Sequence, residues 1–231
     1  MSSSPDPHEQ HIIRSWHTNA EPWSAAIRAG SIASRKLATD QAIVEAVLST
    51  APGRVLDIGC GEGWLARKLA QLDIAVVGVD AIPALVARAA GGAGEFHVLD
   101  YAGLANRELH CEPCDTAVCN FSLLGNESVE AMLAALPWYL RSRGRLIVQT
   151  LHPRAACGDS AYEDGWRDGN WQGFGPEFKD PAPWYFRTLD GWLRMLRRCG
   201  FELLEMREPS LPGTNVPASV LFTCMAPEVT T

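Results

Sequence analysis

Three glycines at alternate positions follow a short apolar run near residue 60. The run R-V-L-D-I at 54–58 suits a buried parallel strand, and residues 64–70 place apolar side chains on one face of a helix. Between them lie Gly59, Gly61 and Gly63. Strand, glycine turn and helix bring a ligand against backbone N–H groups at a helix N-terminus. Glycine is needed in such a turn because a Cβ would block the ligand and disfavour a positive φ.

Two carboxylates end predicted strands beside this turn. Asp57 lies two residues before Gly59, and Asp80 ends a second apolar run about 20 residues further on, the spacing of an acceptor for ribose hydroxyls. A carboxylate aimed into the site repels a pyrophosphate and suits a cationic amino group. The dinucleotide fingerprint would also place its third glycine at position 64, which is a tryptophan. The residues therefore predict a ligand with a nucleoside and an ammonium group but no phosphates.

The stretch V-L-D-I-G-C-G-E-G-W, followed by G-V-D, resembles motifs I and II of the class I S-adenosylmethionine-dependent methyltransferases. The resemblance covers about residues 9 to 225. It implies that S-adenosylmethionine binds and leaves as S-adenosylhomocysteine. It also implies an acid for the adenine amino group at Asp100 and a flanking ring at Tyr101. The cofactor-binding residues expected from the motifs and this resemblance are Asp57, Gly59, Cys60, Gly61, Gly63, Asp80, Ala81, Asp100, Tyr101, Asn120 and Phe121.

Composition limits the class of protein. The chain has 231 residues, 47% of them apolar, and a net charge of −7 with no basic run, which argues against nucleic acid as the main partner. No apolar run of about 18 residues and no signal peptide is evident, so we expect a cytoplasmic protein that does not bind membranes. The Cys111-x-x-Cys114 pair has no second ligand pair, and no metal site is predicted. Nothing in the sequence sets the oligomeric state.

The order of elements predicts a single α/β domain over residues 1–231. We expect a Rossmann-like, doubly wound sheet of seven strands, and the resemblance implies that the last strand inserts antiparallel between the fifth and sixth. Residues 1–8 are expected to be disordered, Pro22 to split an N-terminal helix, and Thr39-Asp40 to cap the next helix. The predicted parts are N-terminal helices at 9–50, a cofactor-binding core at 54–150, an acceptor lid at 152–186, and a helix and strand pair at 188–225.

The segment 152–186 follows the fifth strand and has no clear periodicity. It contains eight aromatic residues, which argues against disorder, and a loop this long is usually functional. We expect it to cover a small-molecule acceptor and to become ordered when ligands bind. The residues expected to line that acceptor pocket are Trp166, Arg167, Trp184 and Tyr185. Trp16 and Trp23, on the N-terminal helical stripe, either cover the cofactor or pack against the core.

Three residues of this segment are candidate catalytic groups. His152 could act as a general base or serve as a structural histidine. Tyr162 and Glu163 could orient a polar acceptor, or they could belong to a loop stabilised by Arg167. An acceptor that ionises easily would need no base.

The predicted function is methyl transfer to an O, N or S atom of a small molecule. One alternative is a methyltransferase that acts on tRNA or protein. The other is a cofactor-binding partner protein without catalytic activity.

Overall fold

The computed structural model describes residues 6–228, in which a seven-stranded sheet lies between two layers of helices. The strands occur in the order β3-β2-β1-β4-β5-β9-β8. Their bounds are β1 Arg54–Ile58, β2 Ala75–Asp80, β3 Glu95–Val98, β4 Cys114–Asn120, β5 Leu140–Thr150, β8 Glu202–Arg207 and β9 Val220–Met225. The pairs among β1 to β5 are parallel, and β9 pairs antiparallel with both β5 and β8. The predicted insertion of the last strand is therefore confirmed.

Apolar strands explain why helices cover both faces. Alternate residues of the central strands are fully buried on opposite sides. One face packs against α6 Glu127–Ala135 and α8 Leu189–Arg198, and the other packs against α2 Asp40–Ser49 and α3 Trp64–Ala70. The helices α4 Pro83–Ala89 and α5 Tyr101–Ala105 complete the β-α alternation. This arrangement brings the carboxyl ends of β1, β2, β3, β4 and β5 to one edge of the sheet, where open α/β sheets bind ligands.

The N-terminal region differs from its prediction in three respects. A single helix, α1 Pro7–Ala29, continues through Pro22, and it starts inside the stretch predicted to be disordered. Residues 1–5 lie outside the described part of the chain. The proline removes one backbone hydrogen bond at a cost of about 3 kcal/mol, but the contacts that α1 makes on both sides of Pro22 preserve the helix. Thr39 makes no cap, because a π-helix at Arg35–Thr39 runs directly into α2.

The region after β4 follows the prediction more closely. The sequence predicts a helix over 127–139 that is disturbed by Pro137. In the structure α6 ends at Ala135, and a 3-10 turn at Leu136–Tyr139 contains Pro137. The fifth strand, predicted at 145–151, begins at Leu140 and ends at Thr150, with an irregular register between the Cys114 and Thr116 pairs.

The segment 152–186 contains regular structure that the sequence did not reveal. It forms a short helix, α7 Pro153–Cys157, and a two-stranded antiparallel hairpin made of β6 Gly165–Arg167 and β7 Trp184–Phe186. Three-residue strands are too short to show a periodicity. Within residues 6–228, none of the helices has the length and apolar character needed to cross a membrane.

Candidate functional site

The glycine turn has a backbone that only glycine adopts readily. Gly59, Gly61 and Gly63 have φ values of +73°, +56° and +80°. A Cβ on Gly59 would collide with Ser122, and one on Gly63 would come within 2.9 Å of the Cβ of Ala89. A Cβ on Gly61 would meet no atom within 4 Å. The first and third glycines therefore allow close packing, while the middle one borders open space in which a ligand would meet the backbone.

Asp57 is a buried carboxylate with a free oxygen. Its side chain is 2% exposed, and its Oδ2 has no hydrogen-bond partner among the described residues. Burial, and then the charge of Asp80, raise the pKa of Asp57 to about 7. A buried polar atom without a partner costs about 1–3 kcal/mol. A cationic donor bound at this point would supply the missing interaction and favour the ionised carboxylate.

Asp80 accepts two backbone hydrogen bonds beside the turn. Its Oδ2 lies 2.9 Å from the Gly61 nitrogen, and its Oδ1 lies 2.9 Å from the Ile82 nitrogen. Burial raises the pKa of Asp80, and these two N–H groups oppose that rise. The side chain therefore links the end of β2 to the glycine turn, and it keeps lone pairs for ligand hydroxyls. Cys60, inside the turn, is buried, and burial raises the pKa of its thiol.

The ends of β3 and β4 complete the expected cofactor edge. The Asp100 side chain caps α5 by accepting a 2.8 Å hydrogen bond from the Gly103 nitrogen. The Tyr101 hydroxyl donates to the Ser122 carbonyl, and burial raises the pKa of that phenol. Phe121 has a φ of +54°, although it is not a glycine. Such strain at the end of a central strand is typical of a ligand site.

Asn120 belongs to a network that the sequence analysis missed. Gln149, on β5 and fully buried, donates from Nε2 to the Asn120 Oδ1 at 2.8 Å and to the Thr39 carbonyl at 3.0 Å. It therefore links the π-helix to the end of β4. A glutamine inside the otherwise apolar run L-I-V-Q-T-L was the available signal.

The helix α1 and the segment 171–180 pack together near the expected cofactor edge. Trp16 and Trp23 pack with Ala20, Ala81, Ile82 and Leu85, so both candidate tryptophans and Ala81 share one cluster. From the insert, Trp171 lies edge-on to Trp16 with ring centres 6.0 Å apart, and Phe174 lies 6.2 Å from Trp23. Both tryptophans therefore pack against residues that follow Asp80 at the end of β2.

Hydrogen bonds join side chains of α1 to residues 179 and 180 of the insert, and we call this set of bonds the clasp. The buried Asn19 donates from Nδ2 to the Lys179 carbonyl at 2.7 Å and accepts from the Lys179 nitrogen at 2.9 Å. Ser15 donates to the Asp180 carbonyl at 2.5 Å, and His11 lies 2.7 Å from the Asp180 carboxylate. Side chains on one face of α1 therefore hydrogen-bond to the backbone and the Asp180 carboxylate of the insert.

The hairpin brings the candidate acceptor residues beside the end of β4. The Tyr185 nitrogen donates to the Leu124 carbonyl at 2.8 Å, and Trp166 lies edge-on to Tyr185 with ring centres 5.4 Å apart. Trp184 packs against Phe186. Arg167 donates to the Ala161 carbonyl at 2.5 Å and to the Glu163 carbonyl at 3.3 Å, so it stabilises the loop through backbone rather than carboxylates.

The three candidate catalytic residues occupy different surroundings. Tyr162 and Glu163 are exposed, and the Tyr162 hydroxyl accepts a 3.0 Å hydrogen bond from the Leu189 nitrogen at the start of α8. His152 is 2% exposed and lies two residues after the end of β5. Its Nε2 lies 2.7 Å from the Glu208 Oε1. The structure therefore buries His152 and exposes Tyr162 and Glu163. The pairing of His152 with Glu208 had no signal in the sequence.

Comparison with known proteins adds three similarities. A 23S rRNA uracil-C5-methyltransferase from a Shewanella strain is 30% identical over 119 residues, which are 49% of this chain and 26% of that protein. A ubiquinone biosynthesis O-methyltransferase from Xylella fastidiosa is 34% identical over 115 residues, 48% of this chain and 46% of that one. The chain thus spans about a quarter to a half of the curated relatives it matches. The Burkholderia thailandensis 1,6-didemethyltoxoflavin-N1-methyltransferase superposes with a TM-score of 0.64 at 18% identity, over 99% of this chain and 93% of that one.

These matches agree with the fold and with the motifs predicted from the sequence. The fold is similar to that of solved methyltransferases. A family model described as a methyltransferase domain matches residues 32–206, which include the glycine turn, both strand-end acids and the hairpin. The chain belongs to the methyltransferase domain family.

Proposed function

We propose that this protein is an S-adenosylmethionine-dependent methyltransferase that acts on a small molecule. The observation that carries the proposal is the buried Oδ2 of Asp57, which has no hydrogen-bond partner within residues 6–228, at the end of the strand that leads into the open glycine turn. A carboxylate in this position fits the ammonium group of the cofactor's methionyl part. Asp80 fits its ribose hydroxyls, and Asp100 and Tyr101 fit its adenine. The residues present therefore suit the cofactor that the family uses.

When bound, the cofactor would supply an activated methyl group on a sulfonium sulfur for transfer to a lone pair of the acceptor, and a proton on the acceptor atom would have to leave. The protein's contribution is binding, orientation and exclusion of water. Asp57 and Asp80 anchor one side of the site. The lid formed by α1 and residues 171–180 covers it.

The aromatic side chains of the hairpin favour a flat or partly apolar acceptor. Tyr185 bonds to Leu124 in the loop after β4 and packs against Trp166. Asn120, the last residue of β4, and Phe121 after it would border the reacting atoms. Pockets for small ligands are mostly apolar and aromatic with a few polar groups. His152 is the proposed base for an acceptor that carries a proton, whereas Tyr162 and Glu163 are candidates for fixing its polar end.

Calorimetry with S-adenosylmethionine tests the first part. In Asp80→Ala a charged acceptor for two hydroxyls is lost, and binding should weaken by about 1.5–3 kcal/mol. Asp115→Ala is the matched control, because Asp115 Oδ2 also accepts two backbone bonds, from Gly53 and Arg54, at the opposite edge of the sheet. Equal affinities in both variants would remove Asp80 from the role.

A transfer screen tests the second part. Labelled S-adenosylmethionine would be presented with phenol, amine, thiol and carboxylate acceptors, and product would be followed as S-adenosylhomocysteine. We expect turnover with at least one aromatic small molecule. Label found only in added RNA or protein would favour the alternative of a macromolecular acceptor. Binding without any turnover would favour a cofactor-binding partner protein.

A further inference from the structure

The His152 side chain has one committed nitrogen and one free nitrogen. Nε2 is paired with the carboxylate of Glu208, while Nδ1 is buried and has no hydrogen-bond partner among the described residues. The Glu208 side chain is 49% exposed, so the pair joins a buried imidazole to a carboxylate that reaches solvent. A buried ring nitrogen without a partner lowers the stability of the ligand-free protein. Because His152 follows the carboxyl end of β5, a bound ligand at this edge could contact that nitrogen.

The hydrogen-bond partner of Nε2 determines whether Nδ1 carries a proton. An ionised carboxylate only accepts hydrogen bonds, so Nε2 must carry the proton. In the neutral imidazole, Nδ1 then presents a lone pair and can take a proton. The free atom is therefore a base rather than a donor.

The sheet topology explains how residues 152 and 208 meet. The strands β5 and β8 run parallel, with β9 antiparallel between them, so the ends of β5 and β8 lie at the same edge as the cofactor residues. Alternate strands are about 9.5 Å apart. Two side chains that extend towards each other over the start of β9 can cover that span. The inserted last strand thus creates the contact.

We propose that Glu208 is the positioning residue for His152, and that the pair accepts a proton from a hydroxyl or amine acceptor. This inference rests on the proposed function. Nδ1 takes the proton that the acceptor loses on methylation. The resulting imidazolium keeps its Nε2–H donated to Glu208, whose charge stabilises it. The proton passes from Nδ1 to water when product leaves, and the base is regenerated.

The chain contains a matched control pair. His97 and Glu95 on β3 also form an Nε2 to Oε1 contact, at 2.8 Å, but both side chains are substantially exposed. Glu95→Ala removes the same type of interaction from a histidine to which we assign no catalytic role. Glu208→Gln complements Glu208→Ala, because it keeps the side-chain volume and an acceptor oxygen while it removes the charge.

The experiment combines nitrogen NMR with kinetics. In ¹⁵N-histidine-labelled protein, two-bond correlation spectra should show His152 with the proton on Nε2, and Glu208→Ala should populate the Nδ1–H form. With a hydroxyl or amine acceptor, Glu208→Ala should lower kcat by about 100-fold and Glu208→Gln by about 10-fold, within the range of general base catalysis. The cofactor Kd should stay unchanged, and Glu95→Ala should keep kcat within about twofold.

Other outcomes would overturn the inference in distinguishable ways. A proton on Nδ1 in the wild type would exclude the base. A Glu208→Ala variant that loses thermal stability but keeps kcat would make the pair structural. If no acceptor is methylated although the Nε2–H form is present, the proposed function fails and the catalytic role of the pair fails with it.

Discussion

At the scale of single residues, Asp57 combines a cost to folding with a benefit to binding. Burial and Asp80 raise its pKa from the ordinary 3.8 to about 7. Between these values the folded state holds a proton that the unfolded chain has released, so stability falls as pH rises from about 4 to 7 and stays lower above. We expect Asp57→Asn to match the wild type below about pH 4 and to be more stable above pH 7, by on the order of a few kcal/mol. Thermal unfolding of the ligand-free proteins at both pH values would measure this, and parallel stability profiles would contradict it.

The same residue should reverse its effect on the cofactor. The wild type should bind S-adenosylmethionine more tightly as pH rises through 7, because the ammonium then meets an ionised carboxylate. Affinity should stop rising near pH 8, where an α-amino group begins to lose its proton. Asp57→Asn should bind weakly over the whole range. Calorimetry across pH would show the difference, and equal affinities would place the ammonium group elsewhere.

Gly61 offers a second test at this scale. Gly61→Val adds a side chain where the protein leaves open space, so the fold should survive while cofactor binding is lost. Gly30→Val is the matched control, since Gly30 has a φ of +61° and an equally open Cβ position at the end of α1. Both variants carry similar backbone strain. Loss of binding in both, or in neither, would mean that the turn does not contact the cofactor.

At the scale of elements, the clasp between α1 and the insert can be separated from the aromatic packing around it. Asn19→Ala removes the Asn19 bonds to the Lys179 N–H and carbonyl, and leaves that carbonyl with only the bond from Trp171 Nε1, so residues 171–180 should exchange backbone hydrogens faster. Thr18→Ala is the control, because the exposed Thr18 bonds only to the Arg14 carbonyl of its own helix. Hydrogen exchange by mass spectrometry would compare the two variants. Unchanged exchange rates over 171–180 in Asn19→Ala would mean that aromatic packing alone holds this segment against α1.

The lid also allows a test of ligand-dependent order. We expect protection in 152–186 to rise when acceptor joins the cofactor, since closing segments exclude water from the reaction. The hairpin and the clasp already order parts of this segment, so the change should concentrate in the turns between them. A segment that is fully protected without ligands would be a fixed insert. An acceptor footprint confined to α1 and α2 would move the pocket and weaken the case for His152.

The sequence predicted features that consecutive residues form, and it did not predict contacts between residues far apart in the chain. The glycine turn and the strand-end acids were readable because strand, turn and helix are continuous in the chain. The Asn19–Lys179 and His152–Glu208 contacts were not, because they join residues far apart that only the finished topology brings together. The prediction that Pro22 splits the helix was wrong for the same reason, because contacts with distant residues outweigh the local free-energy cost of proline in a helix. The short strands of the hairpin gave no periodic signal.

At the scale of the whole molecule, charge bears on the choice of acceptor. The chain has 20 Lys and Arg against 27 Asp and Glu. One curated relative acts on 23S rRNA, but its match leaves about three quarters of that protein outside the alignment. Proteins that bind nucleic acid neutralise backbone phosphates with basic residues, and their affinity falls steeply with salt. The surplus of acidic residues favours a small acceptor.

The prediction at this scale is that RNA binds weakly and accepts no methyl group. Filter binding with total RNA at 50 and 200 mM salt should show no affinity beyond the non-specific range, a Kd of about 10⁻⁴ to 10⁻⁶ M. Labelled S-adenosylmethionine should leave no label in RNA under conditions that methylate a small aromatic acceptor. The reversed outcome would be tight binding that falls about 10³-fold or more between these salts, together with label in RNA. In that case the hairpin and the segment 171–180 would be the place to look for a base-stacking surface, because their half-buried aromatic rings could receive an unpaired base.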